Sequence, residues 1–296
     1  MRHTPRYLKA GIGSMVFEVC NTIFLLALAF ITLYPMYHVL IVSISEATYI
    51  VRGMVNFFPR GINFEAYKMV FRNDDIWRAY VNTLIYTSSG TAVQVLFTAL
   101  CAYPLSRADF YGRKYFTIFI IVTMFISGGL IPNFLLIMRL GMINTIWAII
   151  LPPAISTYNM IIMRTFFKGI PVSLQESAYL DGANDIQILR KIILPLSKPI
   201  LATMTLFYSV GHWNSFFPAL LYLNSKSKYP VQLLLRDIVV VGEFQDQGID
   251  VAQSMTIIST NYKYAVIIIS VIPILCVYPF LQKHFAKGVM IGAVKG

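Results

Sequence analysis

Charge is what this sequence has least of. Only 12% of its 296 residues are charged, about half the share usual for a soluble domain. Water is therefore a poor candidate for its main solvent. Cysteine is scarce as well: Cys20, Cys101 and Cys276 each fall in an apolar run, where a thiol serves as a small, soft packing group. Neither a disulfide framework nor a thiolate metal site follows from them. The four histidines, His3, His38, His212 and His284, are scattered, with no H-E-x-x-H and no Cys/His cluster. There is no G-x-x-x-x-G-K-[ST] loop, and Gly-Lys never occurs as a pair. The chain thus lacks that cradle for nucleotide phosphates. No nucleophile stands in register with a base. We expect no catalytic residue, metal or cofactor on this chain, and no enzyme activity from it alone.

Hydrocarbon is what the sequence has instead. Hydrophobic residues make up 57% and mean hydropathy is +0.67. Six mostly apolar runs stand out, at residues 19–43, 80–104, 115–137, 145–167, 199–222 and 262–282. Each is long enough to cross a hydrocarbon core of about 30 Å. The first exceeds a signal peptide's apolar core and no small-residue cleavage site follows it, so it is expected to be a retained span. The expected fold class is an all-α membrane protein of six transmembrane helices in one domain, residues 19–282. A cytoplasmic approach, 1–18, precedes it and a cytoplasmic tail, 283–296, follows. Pro132, Pro152, Pro153, Pro273 and Pro279 are expected to kink or end helices.

Basic residues orient the spans. With six crossings, the N-terminus, loops 105–114 and 168–198 and the tail share one side. Counting Arg164, that side holds 14 of the 24 Lys and Arg. The positive-inside rule then puts both termini of this multi-pass membrane protein in the cytoplasm. The net charge of +11 is accounted for by this topology and needs no nucleic acid. Of the outer segments, 223–261 is unusually long and apolar, which predicts an ordered, functional loop. In the fifth run, His212, Trp213, Asn214 and Ser215 put polar groups near mid-membrane, where they mark functional sites or interhelical packing.

One polar segment, 169–196, interrupts the hydrocarbon on the cytoplasmic side. Ser173 and Glu176 stand in S-x-x-E spacing, which predicts a capping box and a helix from about Leu174. Asp181 and Gly182 are expected to end it, Gly182 tolerating positive φ. Asn184 or Asp185 caps a second predicted helix that stops at Pro195, with an apolar stripe of Ile186, Leu189, Ile192 and Ile193. Ser177, Ala178 and Ala183 are expected to form an exposed small-residue surface that another protein can approach closely.

This segment carries the pattern E-A-A, three residues, Gly, nine residues, I-x-L-P, here Glu176-Ser177-Ala178, Gly182, Ile192, Leu194 and Pro195. Ser177 in place of alanine is the one departure, small for small. In it the chain resembles the integral membrane subunits of ABC importers. VNTLIYTSSGTAVQVLFTALCAYPLSRADFYGRK, LIPNFLLIMRLGMINTIWAIILP and HWNSFFPALLYL extend the resemblance to the carbohydrate-uptake branch, and to the smaller permease of maltose transport. ISGGLIP and FAKGVMIGAVKG resemble permeases for oligosaccharides and polysaccharide fragments, alginate included.

The resemblance implies a type I importer permease that pairs with a second permease, two ATPase subunits and an extracytoplasmic sugar-binding protein. ATP and Mg would then be bound by the ATPases. Residues 169–196 become coupling helices seated in an ATPase groove. Glu176, Ser177, Ala178, Asp181, Gly182, Ala183, Ile192, Leu194 and Pro195 would form that contact. The tail would reach between the ATPases through Gly292, Val294, Lys295 and Gly296, and the loop at 224–262 would enter the opened binding protein. Trp213, Asn214 and Phe217 are the candidate substrate path, since aromatic faces stack on sugar rings and an amide reads hydroxyls. The alternatives are an importer for a non-sugar solute and a secondary transporter. WNSFFPALLYL and GAVKG argue against the first, and the scarcity of mid-membrane charge against the second.

Overall fold

In the computed structural model these apolar runs fold as helices, and the structure describes residues 12–241 and 261–276. No strand occurs among the described residues. The helices are α1 (Ile12–Ser43), α2 (Ala47–Val51), α3 (Glu65–Arg72), α4 (Asp74–Ser106), α5 (Arg113–Phe125), α6 (Leu130–Arg139), α7 (Trp147–Ile150), α8 (Thr157–Lys168), α9 (Val172–Leu180), α10 (Asp185–Ile188), α11 (Leu194–Leu196), α12 (Lys198–Asn214), α13 (Phe217–Tyr222) and α14 (Val231–Arg236). A further helix, α15, covers Asn261–Cys276. By length and composition α1 and α4 can each cross a membrane, and two bent helix pairs qualify if each is one span.

The described residues fall into two compact units. In the first, residues 12–70 and 261–268, α1 is 32 residues long. At about 1.5 Å per residue it reaches about 48 Å. Its apolar surface is exposed from Met15 to Leu33, which lipid tolerates and water does not. Its far end is anchored: Ile41 and Val42 are buried with Val55, and the Ser43 hydroxyl lies 2.7 Å from that of Tyr67. The Asn261 amide donates to the Ser45 carbonyl.

The second unit, residues 71–241 and 269–276, is organised on α4. Asn73 caps it, accepting from the Asp75 amide at 2.9 Å, and Asp74 and Asp75 suit the positive end of the helix dipole. One face packs on α12 and α8. Gly90 permits the close approach to α12, since a Cβ there would lie 2.4 Å from His212 Nε2. Thr98 and Tyr208 join their hydroxyls at 2.7 Å. Ala99, Ala102, Met160, Met163, Phe167 and Met204 fill the core below them.

Three of the predicted runs are not straight spans; the fifth parts at 215–216 into α12 and α13. The third divides into α5 and α6, bent by 112° at a four-residue break where Gly129 takes φ +82°. Pro132 does not end a helix there. It occupies the first turn of α6, where its missing N–H costs nothing. The fourth run breaks at Pro152–Pro153, and α8 restarts behind the Ser156 cap. A freed carbonyl at membrane depth needs a partner, and Gln94 of α4 donates to that of Pro153 at 2.6 Å. Pro273 lies inside α15 and Pro279 outside the described residues.

Candidate functional site

The polar segment folds as two short helices with an elbow, though its start differs from the sequence reading. Helix α9 begins at Val172, with Pro171 at the N-cap. Ser173 is therefore already inside the first turn and cannot cap; the Ser173–Glu176 box does not form. Proline's fixed φ presets the helix start two residues early. The box lies instead at the second helix, where Asn184 accepts from Gln187 N and Gln187 Oε1 accepts from Asn184 N, both at 2.9 Å.

The elbow is a complete Schellman turn. Gly182 N donates to Tyr179 O at 3.0 Å and Ala183 N to Ala178 O at 2.9 Å, and Gly182 holds φ +80° with Asp181 as C-cap. Past α10 the chain widens into a π turn, Leu189–Ile193, closed by Leu194 N on Leu189 O. The wider turn rephases the apolar stripe. Ile188, Leu189 and Ile193 are buried, Ile192 and Leu194 pack partly against the core, and Ile186 is 76% exposed. The stripe predicted through Ile186 thus runs through Ile188. Pro195 does not stop the helix: α11 continues to Leu196 and turns by 83° into α12.

The small-residue surface is likewise divided. Ser177 is exposed, but Ala178 is buried in the core and Ala183 packs against it. Ala178 therefore fastens the elbow to its own chain, leaving Glu176, Ser177, Asp181 and Ile186 outward. Leu180, 90% exposed, joins that face.

The residue that holds the elbow was not singled out from the sequence. Arg107, the C-cap of α4, keeps only 13% of its side chain exposed. Its Nε donates to Asp109 at 2.9 Å and one terminal nitrogen to Asp185 at 2.8 Å and to the Tyr103 hydroxyl at 3.2 Å. The Tyr179 hydroxyl accepts from the same nitrogen and donates to Asp185. The guanidinium also lies 5.0 Å from the Tyr179 ring centroid. Hydrogen bonds from Arg107 hold the Asp109 carboxyl below the usual carboxylate range. Partial burial, and then the bond to Asp185, pushes the Tyr179 phenol up to about 12. Arg164 Nε secures the same corner by donating to Leu105 O at 2.9 Å. A lone arginine after a helix has no sequence signature for this role, because its partners on the elbow lie 72 and 78 residues downstream.

The three candidate path residues are not presented together. Trp213 is 8% exposed and packs toward Tyr80, ring centroids 6.5 Å apart. Asn214 is exposed but gives its amide to Val210 O at 2.9 Å. Phe217 is 48% exposed at the start of α13. Along α4, Tyr80, Thr87, Thr91 and Gln94 bury polar atoms, as does His212 of α12. No cluster of metal-ligating groups occurs among the described residues. The tail residues Gly292, Val294, Lys295 and Gly296 lie outside them, as do residues 242–260 of the long loop.

Known proteins resemble the chain over nearly its whole length. Protein LplC of Bacillus subtilis (strain 168) is 42% identical over 99% of both chains. The polygalacturonan/rhamnogalacturonan transport system permease protein YtcP of the same organism is 43% identical over 92% of this chain and 96% of its own. Among solved structures, a bacterial ABC transporter involved in the import of the acidic polysaccharide alginate superposes with a TM-score of 0.86 at 34% identity. It covers 95% of this chain and 100% of the matched one. Residues 71–291 match the family of binding-protein-dependent transport system inner membrane components. The chain belongs to that family and is a membrane protein.

Proposed function

We propose that this chain is a permease subunit of an ABC importer that carries an oligosaccharide or polysaccharide fragment across the bacterial cytoplasmic membrane. Six spans with both termini in the cytoplasm form its pathway beside a second, similar permease. An extracytoplasmic binding protein delivers the sugar. Two ATPase subunits bind ATP and Mg, hydrolyse ATP and push on the elbow of α9 and α10. The spans then exchange between inward-facing and outward-facing states, a population shift set by ATP and by the docked binding protein.

The carrying observation is the elbow itself. It is braced by Arg107 against α4, yet turns Glu176, Ser177 and Asp181 outward. A rigid, polar, outward surface on a chain with no nucleotide loop suits a lever driven by another protein. Asn214, Phe217 and, behind them, Trp213 are our candidates for the sugar path. The tail at 288–296 and the loop at 224–262 are assigned to the ATPases and the binding protein. The relatives' named substrates, polygalacturonan/rhamnogalacturonan and alginate, favour acidic fragments as the class to test first.

Calorimetric titration of the cognate binding protein with oligogalacturonate, oligoalginate and a neutral maltodextrin tests this reading. Tight binding of an acidic oligomer, with ATP-dependent uptake by the reconstituted complex, is expected. Binding of an amino acid or peptide in place of any sugar would overturn it.

A further inference from the structure

The long outer loop has a fastened root, and one residue stands at its centre. Among the described residues Asn144 is the only non-glycine with positive φ, at 60°. Asparagine tolerates that conformation better than most residues, at a cost. Its place, between α6 and α7 in sequence, brings all its polar groups to the segment that leaves α13. Asn144 N donates to Tyr222 O at 2.7 Å. Its Oδ1 accepts from Asn224 N at 3.2 Å and Ser225 N at 3.3 Å, and its Nδ2 donates to Ser225 Oγ at 3.0 Å. Its carbonyl accepts from Lys228 Nζ at 2.6 Å.

Helix α4 grips the same segment from another side. Asn82 Nδ2 donates to Ser227 O at 2.8 Å, Tyr86 OH to Lys228 O at 2.8 Å, and Val231 N to Thr83 Oγ1 at 2.8 Å. Tyr222, Leu223 and Leu233 are buried against Tyr86, Ile137 and Ile149. The grip of α4 falls on residues 227–231, whereas 224 and 225 depend on the Asn144 side chain.

We propose that Asn144 is a positioning residue: it locks the loop root at 224 and 225 and so sets how the outer loop meets the binding protein. The first half of this statement concerns the chain alone; the second rests on the import reading. Asn144→Gly keeps the backbone free to adopt positive φ but removes the side chain, and Asn144→Asp keeps the Oδ1 acceptor. In the assembled complex, hydrogen exchange at the 224 and 225 amides should quicken roughly tenfold in Asn144→Gly and stay near wild type in Asn144→Asp. The binding-protein concentration giving half-maximal ATPase stimulation should rise threefold or more in Asn144→Gly only, with basal ATPase and thermal midpoint unchanged. Wild-type protection in Asn144→Gly, or lost protection with an unaltered response, overturns the proposal. If the wild-type complex itself ignores its binding protein, the import reading fails, and exchange still decides the lock.

Discussion

Replacing Arg107 by alanine should cut the tie between the elbow and the body of the protein. Its two carboxylate partners are each about two-thirds exposed, Asp109 at 67% and Asp185 at 68%. Water and salt screen such pairs, so each contributes about 0.2–1 kcal/mol. The tyrosine contacts add roughly 0.5–1 kcal/mol through the ring of Tyr179 and a similar amount through the two hydroxyls. Asp109 and Tyr103 neighbour Arg107 in sequence, so only the Asp185 pair and the Tyr179 contacts join it to the elbow. These amount to about 1.4 kcal/mol, equivalent to roughly a tenfold rise in the population of a loosened elbow. On the import reading proposed above, a loosened elbow transmits less of each ATPase stroke. In proteoliposomes with the complete complex, Arg107→Ala should hydrolyse ATP but import less sugar per ATP. Arg107→Lys should fall between, keeping charge but losing the planar fork. The cluster should be insensitive to pH from about 5 to 9. Asp109, with its lowered folded value, contributes stability above the usual carboxylate pKa near 4 and loses it as pH falls through the folded value. Tyr179, raised to about 12, contributes below pH about 10 and loses its share as pH climbs through the folded value. A wild-type ratio of uptake to hydrolysis in Arg107→Ala, at equal membrane abundance, would refute the reasoning.

Other perturbations probe separate features. Gly90→Ala places a methyl 2.4 Å from His212 Nε2. It should lower the thermal midpoint in detergent by an amount matching about 1–3 kcal/mol of overpacking, and the double variant with His212→Ala should recover most of it. Simple additivity would show that the two residues do not collide. Gly182→Ala meets no neighbour within 4 Å, so its cost is the left-handed backbone alone, about 1–2 kcal/mol. Gly182→Asn should cost less, and equal midpoints for all three proteins would argue against a strained elbow. Glu176→Lys reverses an exposed charge and should leave stability within about 0.5 kcal/mol while uncoupling transport. Normal uptake in that variant removes Glu176 from the ATPase contact.

Features set by local chemistry were legible in the residues themselves. Six long apolar runs announced a membrane protein because hydrocarbon length is counted directly along a chain. The Gly182 turn was readable, and the second cap was narrowed to Asn184 or Asp185, because a Schellman end and an N-cap involve only a few neighbouring residues. Pro152–Pro153 broke a helix as expected, since proline acts on its own turn. Ser173 misled because Pro171, two residues earlier, presets a helix start that spacing rules do not weigh. Tertiary structure alone decided the rest. It turned Ala178 inward and shifted the stripe from Ile186 to Ile188 through a π turn. It bent the third run by 112° and paired Gln94 with a carbonyl freed 59 residues away. Arg107 and Asn144 became central because each also binds groups 72 to 84 positions distant. The sequence alone thus determined which solvent each stretch suits and where the backbone must turn, because those depend on composition and near neighbours. Which side chains brace the turns depends on distant segments meeting, and only the folded chain decides that.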